Sequence, residues 1–216
     1  MYQNVIFDLD GTLLNTLEDL KDSTNYALAQ HGYPTRTLEE VRCFVGNGIR
    51  KLIDRAVPEG TSVEKTDKVF ATFREYYATH SRVKTSMYEG MEQVMDALKE
   101  QNISMAIVSN KADDAVKDLA KYYFAKYIDV AIGEREGISR KPAPDSVYEA
   151  MRLLGATKEN TVYVGDSDVD RVTAKNAGIP CISVTWGFRS EELLVSLEPE
   201  YLIHKPEEIL SVVTGK

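Results

Sequence analysis

Asn4-Val5-Ile6-Phe7-Asp8-Leu9-Asp10-Gly11-Thr12 is an apolar, β-rich run that stops at two carboxylates spaced two residues apart. A short continuous apolar run closed by a turn residue is the pattern of a strand buried on both faces. Gly11 allows a backbone turn that a side chain would obstruct. Two ionised carboxylates held side by side repel each other strongly unless a cation neutralises them. The pattern returns at residues 161–164, which lead into Gly165-Asp166-Ser167-Asp168-Val169-Asp170. Further runs of the same kind lie at 104–108, 129–132, 181–184 and 201–203.

Helical periodicity fills the intervals between these runs. Met91, Val94, Met95 and Leu98 stand at i, i+3, i+4 and i+7, and a turn follows at Gln101-Asn102. Another helix is expected from near Pro144, with Gly155 as its stop after Leu153 and Leu154. Strand and helix in alternation predict an α/β fold: a Rossmann-like, doubly wound parallel sheet covered on both faces. Residues 16–83 break the rhythm, offering helical patterns without a convincing strand. Thr16 with Asp19 and Thr37 with Glu40 have capping-box spacing. Val63, Val69, Phe70, Phe73 and Tyr77 give a long helix an apolar stripe. The expected organisation is a core of residues 1–15 and 84–216 with a helical insert at 16–83.

The 216 residues are 43% hydrophobic and 28% charged, enough for a real core. A formal net charge of -8 argues against nucleic acid or an anionic membrane surface as partner. Cys43 and Cys181 are far apart and lack metal-ligand spacing, which predicts free thiols in a reducing cytoplasm. No run is long enough for a membrane span, and the first residues lack the pattern of a signal peptide.

In an open parallel sheet, ligands bind beyond the carboxyl ends of the strands. Both acidic clusters should therefore meet at one edge, joined by Ser109-Asn110 after the run at 104–108 and by Lys141 in the loop after 129–132. Carboxylates without His or Cys suit a hard cation, and Mg²⁺ is typically held by one or two carboxylates, waters and a substrate phosphate. A hydroxyl and an ammonium are the donors needed around a phosphoryl group.

These residues together resemble the haloacid dehalogenase superfamily of aspartate-nucleophile phosphohydrolases. Asp8-Leu9-Asp10-Gly11-Thr12 matches its first motif, Ser109-Asn110 its second, Lys141-Pro142 its third, and Gly165-Asp166-Ser167 with Asp170 its fourth. The resemblance implies that Asp8 attacks phosphorus, and that Asp10 protonates the leaving oxygen and then activates water. It implies that Ser109 and Lys141 hold the phosphoryl group, and that Thr12 and Asn110 support it. Asp8, Asp166 and the backbone carbonyl of Asp10 would bind Mg²⁺, with Asp170 behind them. Dehalogenating members lack the second acid, so Asp10 disfavours that chemistry. The insert is similar to the family's helical cap, and Val45-Gly46-Asn47-Gly48, like Trp186-Gly187-Phe188, resembles the phosphoglycolate phosphatase branch. Gly46, Asn47 and Arg50 are the expected cap contacts to substrate. Asn15 stands where many relatives have Asp. The resemblance implies a cytoplasmic monomer or homodimer acting on a small phosphorylated metabolite. Pyrophosphate hydrolysis, a sugar phosphomutase and a non-catalytic phosphometabolite sensor are the alternatives. Asp168, His31, His80, His204 and Tyr122-Tyr123-Phe124 read as surface or packing residues.

Overall fold

The structure, a computed structural model, describes residues 1–215. The first apolar run forms β1 (Asn4–Phe7), buried along its whole length. Two short strands, β2 (Leu14–Asn15) and β3 (Ser86–Met87), pair with each other and bracket four helices: α1 (Leu17–Gln30), α2 (Leu38–Phe44), α3 (Ile49–Ala56) and α4 (Val63–His80). The chain continues through α5 (Met91–Glu100), β4 (Ser104–Ala112), α6 (Asp113–Tyr123), β5 (Val130–Glu134) and α7 (Asp145–Leu154). It ends with β6 (Thr161–Gly165), α8 (Asp168–Ala177), β7 (Cys181–Val184), α9 (Glu191–Ser196), β8 (Tyr201–Ile203) and α10 (Glu208–Thr214).

Six strands form one parallel sheet in the order β5-β4-β1-β6-β7-β8. The chain walks outward from β1 on one side and then returns to build the other, so the order reverses at β1. Side chains of one strand alternate between the two faces. Val5, Phe7, Ile107, Val164 and Ile182 share a core with Met91, Leu98 and Leu119 of the covering helices. Ile6, Val108, Tyr163 and Cys181 face the opposite side, against Val147 and Ala150 of α7 and Ala174 of α8. The sheet is thus covered on both faces, as the continuous apolar runs require. Gly155, with φ 66°, ends α7 in the left-handed region.

The chain divides into two compact units, one of Met1–Leu14 with the chain from Met87 onward, the other Asn15–Ser86. In the second unit α1 packs on α4, and the Tyr26 and Tyr76 rings stack at 3.9 Å. The Thr37–Glu40 capping box forms, with Thr37 N–H donating to Glu40 at 2.7 Å and Glu40 N–H to the Thr37 hydroxyl at 3.2 Å. The box expected at Thr16 and Asp19 does not: Thr16 caps no amide with its side chain. The buried Asp19 carboxylate instead accepts from the N–H groups of Val83, Lys84 and Thr85 and from the Thr85 hydroxyl, at 2.8–3.1 Å. Aspartate is one methylene shorter than glutamate and reaches back to a cap amide poorly, while four donors satisfy it here. Val63 lies outside the stripe and is exposed, because Ser62 caps α4 and places it in the first turn. Cys43 and Cys181 are both free thiols. Among the described residues no helix is long and apolar enough to cross a membrane.

Candidate active site

The strand register decides where the acidic residues meet. Phe7 lies opposite Ile107 on one side and Val164 on the other, so Asp8, Ser109 and Asp166 all follow within two residues of one level of the sheet. Asp8 N–H still bonds to Val164 O at 2.9 Å, which sets Asp8 beside the start of the second acidic cluster. Carboxylate oxygens of Asp8, Asp166 and Asp170 lie within 4.8 Å of one another, and all three residues are buried.

One ammonium serves this group. Lys141 Nζ donates to Asp8 Oδ1 at 2.6 Å, to Asp170 Oδ1 at 2.8 Å and to the Tyr163 hydroxyl at 2.9 Å, which uses all three of its protons. Asn110 braces the lysine backbone from both sides, its Nδ2 donating to Lys141 O at 3.0 Å and its Oδ1 accepting from Lys141 N at 2.9 Å. Asp170 is saturated: Tyr163 also donates to Oδ1, and the Ser167 amide and hydroxyl donate to Oδ2 in a capping box that starts α8. Asp166 has one donor per oxygen, Thr12 Oγ1 at 3.1 Å and Phe188 N–H at 2.7 Å.

Backbone closes around Asp166. A Cβ at Gly11, whose φ is 94°, would fall 2.5 Å from Asp166 Oδ2, and one at Gly187 would fall 2.2 Å from Asp166 Cβ. Trp186 Nε1 donates to Thr12 O at 3.1 Å, joining the same two loops. Asp10 lies on the turn after β1 and meets Lys111 Nζ at 2.9 Å. Ser109 is buried and accepts from Lys111 N–H at 3.2 Å.

Burial pushes the Asp8 carboxyl well above the ordinary carboxylate range; the Lys141 ammonium offsets this in part, and Asp170 and Asp166 add to it. Burial also raises Asp166, to about 7, with the Asp170 charge acting in the same direction. Burial alone would lower Lys141, but the charges of Asp170 and Asp8 overcome it and keep the ammonium protonated. Lys141 pairs with Asp8 and Asp170, Lys111 pairs with Asp10, and the Arg189 charge also acts on Asp166, so the four acidic groups outnumber the cations around them.

The family model for haloacid dehalogenase-like hydrolases matches residues 5–184, the span that holds all of these groups. The chain belongs to that family. Phosphoglycolate phosphatase 1 of Pseudomonas aeruginosa is 32% identical over 212 residues, covering 95% of this chain and 78% of that protein. Pyrophosphatase PpaX of Halalkalibacterium halodurans is 30% identical over 215 residues, covering 98% and 97%. The crystal structure of a candidate phosphoglycolate phosphatase from Lactobacillus delbrueckii subsp. bulgaricus matches with a TM-score of 0.94 at 33% identity, over 100% of this chain and 99% of that one.

The structure of this haloacid dehalogenase-like hydrolase brings Asp8, Asp10, Ser109, Asn110, Lys141, Asp166 and Asp170 to one edge of the sheet. The side chain of Thr12 bonds to Asp166, and that of Asn110 to the Lys141 backbone. Three contributors escaped the sequence reading: Lys111, Tyr163 and the Phe188 amide. A tyrosine within a fully buried strand was a usable signal, since its hydroxyl needs a partner there. In the helical unit, Arg50 is held by Asp54 at 2.8 Å and by Asp67, and Arg55 donates to Asn47 Oδ1 at 2.9 Å and to Phe44 O at 2.6 Å. Gly46 and Gly48 turn the chain there with φ 111° and 83°. Asp168 pairs with Arg189 at 3.2 Å.

Proposed function

We propose that this hydrolase is a Mg²⁺-dependent phosphomonoester phosphatase that uses Asp8 as nucleophile on a small phosphorylated metabolite, phosphoglycolate being the leading substrate. The observation that carries the reading is the buried Asp8, Asp166 and Asp170 cluster served by a single ammonium.

The donor set fits the cation. It is all oxygen, with more acidic groups than cations around it, and a hard divalent ion takes such ligands. Asp8 and Asp166 keep unshared lone pairs, whereas Asp170 is filled by Lys141, Tyr163 and Ser167 and acts by holding Lys141. Asp8, Asp166 and the Asp10 carbonyl are the proposed ligands. Bound Mg²⁺ supplies neutralising charge to Asp8 and to the phosphoryl oxygens.

The residues then divide the work. Lys141 fixes one oxygen of Asp8, so the carboxylate is oriented before substrate arrives. An Asp8 oxygen bonds to phosphorus as the bridging P–O bond breaks, giving an aspartyl-phosphate. Asp10 gives its proton to the departing oxygen, then takes one from the water that cleaves the intermediate. Ser109 donates to the phosphoryl group. The helical insert, assigned to residues 16–83, acts as a cap that sets substrate choice through the turn at 45–48 and Arg50.

A second reading, pyrophosphate hydrolysis, draws support from the relative of that name, which stands at nearly the same identity. Asp8→Asn is expected to abolish Mg²⁺-dependent phosphate release from an aryl phosphate, and retained activity refutes the mechanism. A panel containing phosphoglycolate, pyrophosphate and sugar phosphates, assayed with and without Mg²⁺, decides between substrates.

A further inference from the structure

We propose that Lys111 is a positioning residue for Asp10, holding the proton-donating carboxylate in line with the leaving oxygen. The inference rests on the reading of Asp10 as the acid of the proposed function.

Lys111 belongs to β4, and its side chain is 2% exposed, against 20% for Asp10. Burying an ammonium is costly, and a methionine would fill the same space without that cost. The backbone is shaped to deliver it. Up to Val108 the register with β5 is regular, but the next pair is Ala112 with Glu134, so residues 109–111 form a bulge. A bulge breaks the two-residue alternation and re-aims side chains, and such features gather beside active sites. Gly133 of β5 makes room for it: a Cβ there would fall 2.6 Å from Lys111 O and 2.5 Å from Asp113 Cα. The Lys111 amide is tied to Ser109 Oγ at 3.2 Å, which fixes the stem of the side chain. Its Nζ then reaches Asp10 Oδ1 at 2.9 Å.

Lys141 already serves Asp8 and Asp170, so the two lysines divide the site between nucleophile and acid. The side-chain bond from Lys111 to Asp10 makes Asp10 the group through which it acts. Its loss should therefore be felt where the leaving group needs a proton.

The test compares kcat/KM for an alkyl phosphate, whose alkoxide needs protonation, with that for an aryl phosphate, whose phenolate departs without it. This parameter covers the steps up to the release of the alcohol and excludes breakdown of the aspartyl-phosphate. Lys111→Met, with Lys111→Gln as a second variant in case the first folds poorly, is expected to lose at least ~10-fold more on the alkyl ester than on the aryl ester. Asp10→Asn should show the same selectivity, and the double variant should be no worse than Asp10→Asn alone, because both changes remove one function. Equal losses on both esters in the folded Lys111 variants, or additive losses in the double variant, overturn the proposal while the reading of Asp10 stands. Absence of selectivity in Asp10→Asn itself overturns the reading of Asp10 and the proposal with it.

Discussion

Asp166→Asn should make the metal-free protein more stable while destroying its affinity for Mg²⁺. Asp166 is 2% exposed, and its carboxyl is raised from 3.8 to about 7. The folded state therefore binds that proton more tightly than the unfolded chain. The penalty is absent below about pH 4, grows as the pH rises, and levels off above about pH 7. A displacement of that size corresponds to about 4 kcal/mol at pH 8. Asparagine keeps one uncharged acceptor, for the Phe188 amide, and turns its NH2 towards Thr12 Oγ1, which must then accept rather than donate; these losses bring the expected gain to about 2–4 kcal/mol. In a chain of this length that raises the Tm by roughly 4–16 °C. Urea unfolding at pH 8 in EDTA measures it, and a repeat at pH 5 should show the gain shrinking. Mg²⁺ at a hundredfold excess over its dissociation constant should add about 2.7 kcal/mol to the unsubstituted protein and little to the variant. A variant no more stable than its parent in EDTA at pH 8, or one stabilised equally by Mg²⁺, refutes the argument that uncompensated charge at this edge is a cation site.

Gly187→Ala places a methyl 2.2 Å from Asp166 Cβ and must displace that loop, so a loss of about 1–3 kcal/mol and weakened Mg²⁺ binding by calorimetry are expected. Asp19→Ala leaves three amides at Val83, Lys84 and Thr85 without their acceptor and should cost about 3–5 kcal/mol in thermal or urea unfolding. Asp19→Asn retains one acceptor oxygen and should cost less than the alanine change.

The six strands of the sheet were legible because each is a continuous apolar run, which is what burial on both faces demands. The acidic clusters were legible because they sit directly behind two of those runs. What could not be read lies where backbone geometry departs from period and register. Lys111 follows Ser109 and Asn110 in sequence, but only the bulge turns it towards Asp10. The strands β2 and β3 are two residues each, too short to leave a periodic trace. Asp19 has the spacing of a cap residue, yet its partners lie more than sixty residues away, and no local pattern encodes them. Thr12 and Asn110 have the donors a phosphate would attract, and only the fold shows those donors engaged by Asp166 and by the Lys141 backbone.

The hydrogen bonds at Asp166 also carry a consequence for the order of folding. Thr12 and Phe188 grip the two oxygens of one carboxylate from loops 176 positions apart, and Trp186 reaches back across the same interval to Thr12 O. Contacts of such long range carry a large loop-closure cost and slow folding. During synthesis Asp8 emerges well before Trp186 and Phe188, the residues that reach back to this edge. A nascent chain thus lacks the contacts that close this site until β7 and the loop beyond it have left the ribosome.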